Sequence, residues 1–133
     1  MSKKAKIKSL IYGTVNTAEL RAKIPCGETD VRIFVDKMPA DTEYPAGKII
    51  VRNTVPEHDT KKQTGFFQID IYGEDPDYLS ELAEIIDNSL IGWAGEYQGL
   101  KVKQIVKEND IENPQEFDTK LYQKILEFKI IYF

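Results

Sequence analysis

Residues 65–93 constrain the fold more than any other stretch, because a strand patterned on both faces runs straight into a helix with its own start signal. In 65–73, Phe67, Ile69 and Ile71 fall on one face, and Phe66, Gln68, Asp70 and Tyr72 on the other. Two residues after Gly73, Asp75 can cap a helix, Pro76 fits its first position, and Asp77 suits the positive end of the helix dipole. Over 76–93, Leu79, Leu82, Ala83, Ile86 and Leu90 recur as one apolar stripe, extended by Trp93. Asp77, Glu81, Glu84 and Asn88 lie opposite. A strand and an amphipathic helix joined this closely imply a sheet with a helix laid on one face. The sheet's second face then carries Phe66 and Tyr72 among polar groups, a mixture that suits either solvent or a protein contact.

The flanking segments complete the pattern. Residues 4–23 read as a helix through Ile7, Leu10, Ile11, Val15 and Leu20, with Gly13 as a weak point and Pro25 and Gly27 ending it. Strands are expected over 31–35 and 47–54, with a connector from Pro39 to Pro45 and a polar loop over 56–64. After Gly95 and Gly99 bracket a turn, 100–107 alternates: Leu100, Val102 and Val106 face one way, and Lys101, Lys103 and Lys107 the other. A polar loop is expected over 108–119. A final strand over 121–133 has Tyr122, Leu126, Phe128, Ile130 and Tyr132 on one face, so the terminus is pinned in a sheet. Helix, three strands, helix, two strands favours an α+β domain: a mostly antiparallel sheet packed by the N-terminal and central helices. The 133 residues fit a single domain, with a flexible basic tail over 1–6.

Composition narrows the function. One cysteine, Cys26, forms no internal disulfide and suits a reducing compartment. No apolar run approaches the roughly 18 residues of a membrane helix, so a soluble cytoplasmic protein without a membrane partner is expected. Net charge is −4, and from Lys62 to Lys101 the chain has no intervening Lys or Arg but eight carboxylates. That stretch repels a phosphate backbone, so specific nucleic-acid binding is not expected.

No catalytic constellation stands out. His58, the sole histidine, lies in the polar loop without an orienting partner, and Cys26 sits between Pro25 and Gly27 without a paired histidine. No cysteine or histidine pair has zinc spacing. The strongest chemical candidate is the acidic group Asp70, Glu74, Asp75 and Asp77, which could present oxygen ligands to Mg²⁺ or Ca²⁺. Helix capping accounts for Asp75 and Asp77, and the spacing matches no calcium loop. The expectation is no catalytic residue, no metal and no cofactor.

The run Phe66-Phe67-Gln68-Ile69-Asp70-Ile71-Tyr72-Gly73, followed by a helix with Leu82-Ala83 and Ile86, resembles the tail-completion or tail-terminator proteins of long-tailed phages. Arg32-Ile33-Phe34 with Pro39, then Tyr44-Pro45 and Ile49-Ile50-Val51, are similar in the same order, as is the aromatic terminal strand 128–133. The acidic connector Asp41-Thr42-Glu43 departs from the pattern. The resemblance implies a non-enzymatic virion protein, assembled in the bacterial cytoplasm, that caps the tail tube, stops its polymerisation and joins tail to head. Its partners would be further copies of itself in a ring, commonly a hexamer, the tail-tube protein and a head-completion or connector protein. A ring needs two different patches that meet head to tail. The candidates are Phe66, Gln68 and Tyr72 on the strand, and Glu57, His58, Asp59, Lys61 and Lys62 in the loop. Asp77, Glu81 and Glu84 would form a solvated face or line an acidic lumen that DNA could cross without sticking. The competing readings are a small metal-dependent enzyme using the acidic group and a generic cytoplasmic binding module.

Overall fold

The computed structural model describes residues 2–56 and 62–133. Helix α1 (Lys3–Val15) opens with Ser2 accepting from the Ala5 N–H, so residues 3–6 are helical where a tail was expected. The helical pattern expected over 4–23 does not break at Gly13. It breaks after Val15, where Thr17 adopts an extended conformation and caps α2 (Ala18–Lys23) through the Leu20 N–H. Arg21 bonds back to the Asn16 carbonyl and side chain at 2.8 and 2.9 Å, which holds the corner.

The expected strand over 31–35 is likewise divided. β1 (Pro25–Cys26) and β2 (Asp30–Val31) make a two-stranded ribbon, and β3 (Ile33–Val35) joins the main sheet. Arg32 sits at the break and donates to the carbonyls of Pro45 and Pro25. The main sheet continues with β4 (Ala46–Pro56), β5 (Gln63–Gly73), β6 (Gly95–Tyr97), β7 (Leu100–Asn113) and β8 (Tyr122–Tyr132), in spatial order β3-β4-β5-β8-β7-β6. Among the described residues only the β3–β4 pair is parallel. The result is the expected α+β class: three helices with a curled, mostly antiparallel six-stranded sheet. β4 and β5 both extend into the loop expected over 56–64, and Glu57, His58, Asp59 and Lys61 fall outside the described residues.

The helix α3 (Pro76–Leu90) buries Leu79, Leu82, Ala83, Ile86 and Leu90 as its stripe requires, and Ile85 as well. Each such aliphatic side chain contributes roughly 1.5–3 kcal/mol on burial. The stripe meets Phe67, Ile69 and Ile71 of β5 and Leu126, Phe128 and Ile130 of β8 in one core shared with Ile7, Leu10 and Ile11 of α1. Phe67 and Phe128 stack with ring centroids 5.0 Å apart. The helix ends at Leu90, so Trp93 lies beyond it, packed on the core from a short connector whose Gly92 and Trp93 exchange backbone hydrogen bonds with Ile105. Gln98 and Gly99, at φ 48° and 83°, make the two-residue β6–β7 turn, a geometry that matches the twist of a hairpin.

β7 departs furthest from its expected pattern. A register shift between Val102 and Gln104 moves Ile105, not Val106, into the core, and brings Lys107 to the helix side of the sheet. A bulge inserts one residue and so reverses the alternation downstream. The strand also runs on to Asn113, through half of what reads as a polar loop, because β8 pairs with it throughout.

Candidate functional site

Among the described residues, helices lie on one face of the main sheet only. On the opposite face the registers align Lys48 and Ile50 of β4 with Asp70 and Gln68 of β5, and those with Ile125 and Glu127 of β8. Phe66 and Tyr72 share this face, opposite Lys129 and Gln123. Phe66 is 36 % exposed, whereas Gln68 and Asp70 are 9 % and 4 % exposed, so the face is wet at its aromatic and closed at its polar centre.

A polar chain crosses three strands there. The Arg52 guanidinium, 3.1 Å from Glu127, also donates to Gln68, whose amide donates to Asp70 at 2.7 Å. Lys48 stands 5.9 Å above the Tyr72 ring, and Gln123 donates to the Tyr72 hydroxyl at 3.0 Å. Burial pushes the Asp70 carboxyl above its usual range, opposed by the Gln68 hydrogen bond and the charges of Lys48 and Arg52. Burial likewise raises the Tyr72 phenol. A shallow depression of about 310 Å³ opens between Arg52, Phe66 and Glu127 on one side and Glu108 and Asn109 on the other. Such a surface can make hydrogen bonds and aromatic contacts across a protein interface.

The four carboxylates of the acidic group are not gathered. Asp70 is committed to Gln68 on the sheet, and Asp75 accepts from the N–H groups of Asp77 and Tyr78 as the α3 cap. Glu74 and Asp77 are exposed at the strand end and first helical turn. Among the described residues, no three His, Cys, Asp or Glu side chains are placed to hold a metal ion. Asp77, Glu81 and Glu84 are exposed along one side of α3, but that side is not purely acidic, because Lys23 of α2 lies 2.7 Å from Glu81. Lys62, beside the start of β5, is half-buried.

No family model and no curated protein matches the sequence. Among solved structures, one chain of a virion of a native gene transfer agent particle is similar. The likeness is one of fold. It reaches a TM-score of 0.75 at 10 % sequence identity and covers 99 % of this chain and 98 % of that one.

Phe66, Gln68 and Tyr72 therefore share one surface, as their alternation requires. Arg52, Lys48 and Glu127 complete it and were not singled out in the sequence. Their signal was available: once strands are assigned over 46–56 and 122–132, the residues opposite the apolar alternation must fall on this face. The pairing that brings Arg52 to Gln68 was not legible, since register across separate strands depends on turns and bulges.

Proposed function

We propose that this chain is a structural component of a phage-type virion, and more specifically a tail terminator. Several copies, six in the arrangement common to the family it resembles, form a ring that closes the end of the tail tube, stops tube growth and receives the head. The observation that carries the reading is the likeness over nearly the whole chain to a chain of a virion particle. The terminator motifs at 66–73 and 82–86 give it a direction. The uncovered sheet face, with Phe66 exposed beside a fixed Arg52–Gln68–Asp70 chain, supplies a surface suited to assembly with other virion proteins. On this reading the chain is not an enzyme.

The test is reconstitution. Purified protein is mixed with polymerising tail-tube protein, and tube lengths and ends are imaged by negative stain. The expected result is tubes of limited length bearing a ring at one end. Tubes that grow to unlimited length with bare ends, at any concentration of this protein, sink the proposal.

A further inference from the structure

Among the described residues β4 and β7, the second strand from each side of the sheet, are each covered over one half only, and the open halves are diagonal to one another. β3 pairs with β4 at Gly47–Ile49, which leaves the side of 51–56 that faces away from β5 without a neighbouring strand among the described residues. β6 and the Gly92–Trp93 connector cover β7 as far as Ile105, which leaves residues 106–113 open in the same sense. Such rows of free N–H and C=O groups accept a further strand.

We propose that these two edges pair between copies, antiparallel and head to tail, and that the turn after β7 seats Phe117 against the next copy's β3. This rests on the ring reading and names its interface. Strand direction permits it, because β4 is antiparallel to β5, β5 to β8 and β8 to β7, so β7 of one copy runs opposite to β4 of the next. Charge selects it. Glu108, Asp110 and Glu112 outnumber Lys107 on the open part of β7, so two β7 edges would set like charges against each other, while the open part of β4 holds Arg52 and no acid.

The offset fits closure about an axis. Val51 aligns with Phe67, Phe67 with Phe128, and Phe128 with Lys107, so Val51 and Lys107 stand at one level. Overlaying the open halves slides the next copy by about five or six residues, roughly 16–20 Å, across four strands roughly 19 Å wide. That stagger tilts the strands by about 40–45°, close to the tilt at which sheets close into barrels.

The same slide brings the neighbour's β3 to the level of the 114–121 turn. That turn is braced by Glu116 N–H to Leu121 O at 3.1 Å, Lys120 N–H to Glu116 O at 2.9 Å, and the Gln115 amide to Lys120 O at 2.6 Å. It displays Phe117, which is 96 % exposed. Beside β3 lies a groove of about 350 Å³ lined mainly by Val31, Ile33, Phe34, Val35 and Cys26, with Asp30 present and bonded to the Tyr12 hydroxyl. A fixed aromatic and an apolar groove at different places on one chain make a heterologous contact.

Cys26 is the chain's only thiol, which makes the test direct. Wild-type protein is mixed with a Phe117→Cys/Cys26→Ser variant and treated with a short bismaleimide, with each protein also treated alone. Wild type and Phe117→Ala are compared by sedimentation and by unfolding, with and without tail-tube protein. We expect a cross-link between the two species and little within either. We also expect assembly weakened at least about tenfold by Phe117→Ala with unfolding unchanged, the size of effect typical of an interface anchor. Equal cross-linking within each species, or rings that form without the mixed cross-link and ignore Phe117→Ala, overturns the inference and leaves the ring reading standing. No oligomer under any condition overturns both. A mixed cross-link without tube binding supports the interface and removes the tail role.

Discussion

The Lys107 ammonium lies 2.7 Å from the Asp87 carboxylate of α3 and 4.7 Å from the centroid of the Phe128 ring. Both partners of the ion pair are about one-quarter exposed, and Asp110 adds a second carboxylate at 3.5 Å. Lys107 thus ties the helix to β7 and β8 from a position whose alternation assigns it to solvent. Replacing it with Met keeps the aliphatic stem over Phe128 but leaves Asp87 half-buried without its cation, at a cost of about 1–2 kcal/mol. The double variant Lys107→Met/Asp87→Leu recovers part of that loss. Urea unfolding of the two proteins checks it; equal stability of the single and double variants would contradict the pairing.

Gly47 occupies a position with no room for a side chain. A Cβ there would lie 2.6 Å from the Asp70 carbonyl oxygen and 2.9 Å from both Ile33 and Ile71. All three belong to the strands on either side of β4, and the nearest is a backbone atom of β5, which cannot give way without shifting the sheet. Gly47→Ala should destabilise by about 1–3 kcal/mol, the range for overpacked interiors. Thermal unfolding measures it, and a neutral outcome would mean that β3 and β5 are not held where the registers place them.

Asp70 should make stability respond to pH in a definite direction. Its folded pKa is raised, mainly by burial, above the ordinary 3.8. The folded state therefore holds the Asp70 proton more tightly than the unfolded chain. The associated stability is fully present below the unfolded pKa and is lost as pH rises through the folded one. Asp70→Asn keeps an acceptor for Gln68 and removes the buried charge. It should be more stable than wild type at pH 7, with the gap narrowing as pH falls towards 3.8. A gap that stays constant from pH 7 to pH 4 would show that Asp70 ionisation does not couple to folding.

The elements legible in the sequence were those whose signal is local. Asp75-Pro76 marks the start of α3, and the alternation of 65–73 and 121–133 sorts the core from the outer face without knowledge of neighbours. The misread positions depended on partners. The break after Val15 needs Thr17 as a cap and Arg21 as a brace. The inward turn of Lys107 needs the β7 bulge, and the run of β7 to Asn113 needs β8 beside it. For the outer face, alternation identified Phe66, Gln68 and Tyr72, but Arg52 joins them only through register. Phe117 was not singled out in the sequence, because its exposure depends on a turn held by backbone hydrogen bonds.

Asp75 offers a separation of capping from metal ligation. Its carboxylate accepts from the Asp77 N–H at 3.0 Å and the Tyr78 N–H at 3.5 Å, and satisfies donors that the first helical turn cannot pair internally. A Ser side chain offers the same acceptor without the charge and preserves most of the cap, whereas Ala removes it. Asp75→Ala should cost about 1 kcal/mol and Asp75→Ser markedly less. A metal ligand would behave differently: Ser would lose as much as Ala, and wild-type stability would rise with added Mg²⁺ or Ca²⁺ through preferential binding to the folded state. Denaturant melts of the three proteins, with and without each cation, distinguish the two roles. We expect Ser to track wild type and the cations to leave all three curves in place, because the carboxylate is already engaged by the helix it starts.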